Sequence, residues 1–252
     1  MRRARCWVGL LLGACLALAA RPRWAQSAGS TDESAGWVGI MTDWQLRGPW
    51  SVWLDGHYNS RAFVVLRTGL TYRFEAGPAL TGGYAHLLTQ PERFGRNEHR
   101  PWAQIFFPVR FSQHFSLSHR LRFDLRIREK VDGGRVVGGW TVVPRWRSQS
   151  ALNCWFLPSN SGGWFASTAL EVLVNGGANA GPNYLDQNRV SVMLGYKRGP
   201  ATVRAGYLDR FVPGSSGQSP VHEHNAVLWL SYRYRIEDPI ERSQSSPEAG
   251  NP

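Results

Sequence analysis

The chain has 252 residues, a mean hydropathy of −0.33 and a formal charge of +11, with 19% charged residues. After the N-terminal 20 residues no segment is apolar enough for a membrane helix, which needs about 20 such residues. Two of the three cysteines, Cys6 and Cys15, lie in that first segment. Cys154 then stands alone, which excludes a disulfide framework, a cysteine metal cluster and a CxxC redox pair.

Met1-Arg2-Arg3-Ala4-Arg5 is basic, and an apolar run from Cys6 to Ala20 follows. A basic start, a short apolar core and small residues at its end describe a secretory signal peptide over residues 1–25. Cleavage is expected after Ala19 or Ala25. Arg2-Arg3 lacks the polar and aromatic residues of a twin-arginine signal, and the apolar run continues past Cys15, against a lipoprotein box. Without its five arginines the mature chain holds 24 basic and 18 acidic residues, a net charge of +6. Lys130 and Lys197 are its only lysines. Arginine suits phosphate, but here it recurs at strand period among acids, so a nucleic-acid surface is not expected.

A small-residue spacer (26–36) leads to runs of alternating polarity. Trp37 to Leu46 opens them, with Val38, Ile40, Trp44 and Leu46 on one face. Arg47-Gly48-Pro49 turns into Trp50 to Asn59. Ala62 to Phe74 sets Val64, Leu66, Leu70, Tyr72 and Phe74 against Arg67, Thr71 and Arg73. Glu75 to Pro78 turns into a Gly-rich strand ending at Leu88, and Trp102 to Phe111 follows. The most regular segment is Arg120 to Arg128: Arg120, Arg122, Asp124, Arg126 and Arg128 fall on one side, Leu121, Phe123, Leu125 and Ile127 on the other. Only a strand sorts these positions so cleanly. Thr141 to Phe156, Trp164 to Asn175, Asn188 to Lys197, Ala201 to Phe211 and Asn225 to Ile236 complete the set, and an acidic tail (237–252) ends the chain. Long polar loops are expected at 89–100, 129–139, 176–185 and 212–223, alternating with tight turns. Aromatics near strand ends (Trp37, Trp50, Trp102, Trp140, Trp164, Tyr184, Tyr234) read as interfacial girdles.

Runs of about ten residues with short turns on one side and long loops on the other describe a transmembrane up-and-down β-barrel, here over residues 37–236, its greasy face to lipid and its arginine face to a wet lumen. Eleven runs are legible. Single-chain bacterial barrels have even numbers, so 12 strands are expected, with a strand hidden in 129–163, or else 10.

Three segments carry a resemblance: His119 to Arg126; Glu171 to Asn175; and Leu185-Asp186-Gln187-Asn188-Arg189 with Gly195-Tyr196 and Gly206-Tyr207-Leu208. Together they resemble an uncharacterised Gram-negative outer-membrane β-barrel family (domain of unknown function 2490) over Trp37 to Ile236. Leu230-Ser231-Tyr232-Arg233-Tyr234 is similar to a barrel-assembly signal, although a tail follows it. The resemblance implies a fold and an outer-membrane location, with outer-membrane lipid, lipopolysaccharide and the barrel-assembly machinery as partners. It implies no activity, cofactor or ligand.

Three chemical readings remain. His222-Glu223-His224 puts two imidazoles on one strand face, but without a third ligand nearby. His119, with Ser116 and Ser118 close in sequence, raises a barrel lipid hydrolase, although no GxSxG motif supports it. The third reading is a set of lumen-facing candidates: Arg67, Arg73, Arg120, Arg122, Arg126, Glu171, Asn175, Arg189, Arg204, Arg233 and Arg235. In a small barrel such groups pair across the interior and fill it, since an unpaired buried charge is costly; an anion-favouring pathway is the alternative. A non-enzymatic outer-membrane barrel with a structural, binding or small-solute role is the expectation. A soluble periplasmic ligand-binding barrel with the phases inverted is its other rival.

Overall fold

The computed structural model describes residues 31–89, 95–159, 162–180, 184–214 and 219–235. Residues 1–25, expected as a signal peptide, the start of the spacer and the acidic tail lie outside the described residues, as do the tips of three of the expected long loops. Eleven strands form one closed sheet: β1 (Thr31–Gln45), β2 (Trp50–Asn59), β3 (Phe63–Arg73), β4 (Ala79–Thr89), β5 (Arg96–Arg110), β6 (Phe115–Asp132), β7 (Arg135–Ser159), β8 (Gly162–Asn175), β9 (Leu185–Arg198), β10 (Ala201–Val212) and β11 (Val221–Tyr234). Among the described residues there is no helix.

Each strand pairs antiparallel with its neighbour in sequence. The exception closes the barrel: β1 and β11 run parallel, from Thr31 opposite Val221 to Trp44 opposite Tyr234. This seam corrects the expectation of an even number. Parity is required only when every pair is antiparallel, and one parallel pair closes an odd sheet. β1 begins at Thr31, so residues 31–36, read as spacer, are strand.

Among the described residues of 129–163 there is no extra strand. The segment expected as a loop extends β6 and β7 into a long hairpin, with Asp132 paired to Arg135. Gly133 and Gly134, both at positive φ (55° and 74°), form its two-residue turn, the conformation that matches strand twist and that glycine adopts without strain.

The alternation of side chains produces an inside-out barrel. Leu66, Ile40 and Leu194 point outward and are 67%, 56% and 49% exposed, whereas Asp124 and Glu98 point inward with no exposed surface. Outward aromatics gather near the tight-turn end: Trp44 beside Tyr232 and Tyr234, Trp50 beside Tyr72, and Trp164 beside Tyr196. Trp37 and Trp102, read as girdle residues, are corrected: both are buried inside. Each falls on the inward phase of its strand and anchors a small apolar cluster, Trp37 with Met193, Leu208 and Val227, and Trp102 with Val65, Ala85 and Leu87. The Trp102 ring is accommodated by glycine. A Cβ on Gly83 would stand 2.1 Å from the Thr68 carbonyl oxygen and 2.9 Å from the indole.

Candidate functional site: the charged barrel interior

β6 supplies the centre of the interior. Its alternation turns Arg120, Arg122, Asp124 and Arg126 inward, and β5, β7, β8 and β9 surround them with complementary charge. The Asp124 carboxylate accepts hydrogen bonds from Arg122 Nε at 2.7 Å and Arg145 Nη2 at 2.8 Å, with Arg147 Nη1 at 3.6 Å. Arg145 and Arg147 flank Trp146 on β7, which points the opposite way and is 52% exposed. Glu171 on β8 accepts from Arg147 at 2.7 Å, Arg120 at 2.8 Å and Arg189 at 3.1 Å. Glu98 on β5 accepts from Arg100 at 2.6 Å and Arg126 at 2.8 Å.

The fourth carboxylate arrives through a backbone irregularity. Leu173 pairs with Gln187 and Val174 with Leu185, leaving Asp186 as the extra residue of a β-bulge. Bulges re-aim side chains, and this one swings Asp186 inward to Arg145 (3.0 Å), Arg126 (3.3 Å) and Asn175 (2.9 Å). Four carboxylates and seven guanidiniums (Arg100, Arg120, Arg122, Arg126, Arg145, Arg147, Arg189) thus form one continuous network. Burying one ion pair gains little, because desolvation offsets the attraction. Sharing each carboxylate among two or three forked guanidiniums satisfies more of its lone pairs and makes the whole mutually dependent. Arg122 also lies over the Trp102 ring, 4.3 Å from its centroid.

Smaller pairs flank the network. Asp55 accepts from Arg67 and Trp53, each at 2.6 Å. Asn59 donates to Glu223 (3.0 Å) and Asn225 (2.7 Å), and Glu223 binds Arg210 at 2.6 Å. Toward the tight-turn end Asp43 pairs with Arg73 and with Arg233.

Of the candidates named from sequence, Arg120, Arg122, Arg126, Glu171, Asn175 and Arg189 come together in the central network. Arg67 sits in the Asp55 pair. Arg73, Arg204, Arg233 and Arg235 line a separate cavity of about 850 Å³ between the network and the tight-turn end. Sequence reasoning did not select Glu98, Arg100, Arg145, Arg147, Asp186, Glu223 or Asn225. Arg145, Arg147 and Glu223 share the inward phase of their strands and were open to the same argument. Asp186 was not, because only the bulge brings it inward.

The histidines lie largely on the outer wall. His119 faces out and shares a hydrogen bond with Ser150 of β7 at 2.9 Å. Ser116 faces in and accepts from Asn153, which lines the cavity. Strand alternation therefore separates His119 from Ser116 and Ser118. Among the described residues no carboxylate contacts His119. His222 and His224 stack on the outer face with ring centroids 6.4 Å apart, both close to Asp209. Glu223 points the other way into the barrel, and among the described residues no group of three side chains is arranged to hold a metal ion.

A family model described as a protein of unknown function (DUF2490) matches residues 34–220. No curated protein matches the sequence.

Proposed function

Taking as premise that the chain belongs to the DUF2490 family of proteins of unknown function, we propose that it is an outer-membrane β-barrel with a sealed lumen and a binding or structural role rather than an enzymatic one. The observation that carries this reading is the inverted distribution of polarity. Leucine, valine and aromatic side chains cover the outer wall, while guanidinium and carboxylate groups occupy the interior. In water such a wall would be an apolar patch far beyond the few hundred Å² that soluble monomers expose; against hydrocarbon it is the favoured surface. The export signal in residues 1–25 supports the same location. Outer-membrane lipid and lipopolysaccharide are then the lateral partners, and the assembly machinery acts during insertion.

Sealing follows from the interior. A water-filled pore leaves its charged lining wet, yet Asp124, Glu98, Asn59 and Asn225 have no exposed surface. The network closes the lumen at mid-height, against free solute passage. The test is electrophoretic and electrical. The mature chain extracted in detergent is expected to migrate faster unheated than boiled, and to give no steady conductance in planar bilayers. A chain that stays dissolved without detergent overturns the membrane reading; ohmic channels overturn the seal.

A further inference from the structure

Below the sealed network, toward the tight-turn end, the interior opens again, and there the balance of charge changes. The cavity of about 850 Å³ is lined by Arg73, Arg120, Lys197, Arg204, Arg233 and Arg235, with Asp43 as the one carboxylate among its lining residues. Asp43 is already shared between Arg73 and Arg233, and Arg120 is held by Glu171. Among the described residues no carboxylate contacts Arg204 or Lys197. Arg204 instead lies over the Phe165 ring, 5.3 Å from its centroid. The buried Nε atoms of Arg73 and Arg120 have no hydrogen-bond partner. In the central network each guanidinium has a carboxylate partner, whereas here six cations share their lining with one carboxylate, a local excess of positive charge facing an accessible space. Between them stand neutral hydrogen-bonding groups, notably Gln104, Gln149 and Asn153, and an aromatic wall in which Trp155 and Phe165 pack with centroids 4.6 Å apart.

We infer that this cavity is a binding site for a small phosphate-bearing solute with a hydroxylated ring. Forked guanidiniums match phosphate oxygens two at a time, and several uncompensated cations favour a dianion over a monoanion. The amides suit hydroxyl groups, and the half-buried Trp155 ring, backed by the buried Phe165, suits the apolar face of a ring. Arg204, Lys197 and Arg235, none with a carboxylate partner among the described residues, are the groups whose counterion the solute supplies. The inference rests on the outer-membrane reading only for which compartment delivers the solute, the one facing the tight turns. The binding chemistry itself is independent of that reading.

The test is isothermal titration calorimetry on the full mature chain in zwitterionic detergent at low salt. Its barrel is verified first by heat-modifiable migration, so that failure of the fold and failure of the site are told apart. Glucose 6-phosphate is the probe and glucose its uncharged control. The wild-type barrel is expected to bind the phosphate ester and not glucose. Arg204→Ala and Lys197→Gln, which break no ion pair with a carboxylate, are each expected to weaken binding about ten- to hundredfold, the loss of one charge-assisted contact. Folded protein that gives no binding heat with glucose 6-phosphate overturns the inference. Equal binding of glucose, or unchanged affinity in both variants, does the same.

Discussion

Replacing Asp124 by asparagine keeps its volume and removes its charge, which tests whether the interior is dry. Three guanidiniums surround this carboxylate, at 2.7, 2.8 and 3.6 Å. Breaking a buried ion pair costs about 3–5 kcal/mol, chiefly because the surviving charge is left without compensation. Here the three partners are not equally exposed to that loss. Arg145 keeps Asp186 and Arg147 keeps Glu171. Arg122 has Asp124 as its only carboxylate among the described residues and retains only the Trp102 ring. One fully orphaned cation and two weakened ones place the cost near the lower limit, about 3 kcal/mol. With a urea dependence of about 1–3 kcal/mol per molar, the unfolding midpoint falls by roughly 1–3 M. The assay is equilibrium urea unfolding of the detergent-held barrel, read by heat-modifiable migration. Adding Arg122→Met to Asp124→Asn removes the stranded cation and is expected to recover at least half the loss. If Asp124→Asn unfolds within about 0.3 M of wild type, water already solvates the interior and the sealed-lumen argument fails.

Leu66→Arg places a charge on the most exposed large apolar side chain of the outer wall; in lipid vesicles it is expected to destabilise the barrel by about 2–4 kcal/mol, whereas an effect under 0.5 kcal/mol means that the wall meets water. Gly83→Ala drives a Cβ to 2.1 Å from the Thr68 carbonyl oxygen, at an expected cost of about 1–3 kcal/mol in urea unfolding. Gly82→Ala next to it meets nothing within 4 Å and is expected to be near neutral, so equal effects refute the close-approach argument. His119→Ala and Ser150→Ala are expected to leave phospholipid turnover by the purified barrel at the background of protein-free vesicles, as in wild type. Turnover above background that either substitution abolishes would make the outward His119–Ser150 pair catalytic.

The strands were legible because each carries its own record of which way it faces. In β6 the five charged positions from Arg120 to Arg128 alternate with four apolar ones, and period two admits only one sorting. Pairing information is different: it belongs to two strands at once. That Asp124 would meet Arg145 and Arg147, or Glu171 meet Arg189, depends on register, which no single segment encodes. The bulge at Asp186 shifts phase within one strand, so a rule built on strict alternation assigned it no role. The same limit explains Trp37 and Trp102. Position near a strand end suggested the membrane interface, but phase, the stronger signal, turned both inward. The hairpin at Gly133-Gly134 resembles a loop in sequence because glycine and charge crowd it, although two adjacent glycines are what a two-residue turn demands.

The parallel seam has a consequence for the direction of the barrel. With 11 strands, β1 starts at the end where β11 also starts, so Thr31 lies at the longer-loop end and Tyr234 at the tight-turn end. The two rims then differ in chemistry as well as in loop length. On the longer-loop side Glu223 pairs with Arg210, and Glu98 and Asp186 hold Arg100, Arg126 and Arg145, although Arg128 has no carboxylate partner there among the described residues. At the tight-turn rim Arg204, Lys197 and Arg235 have no carboxylate partner among the described residues and stand around an open cavity. A barrel built only as a scaffold has no use for several uncompensated cations around an open cavity, since they repel one another and lower its stability. Their retention beside an aromatic wall is the feature that separates a ligand-binding role from a purely structural one, and Arg204→Ala reads both. If the site serves only the fold, removing this unneutralised charge stabilises the barrel and changes nothing else. If it serves a solute, the same substitution loses the ligand.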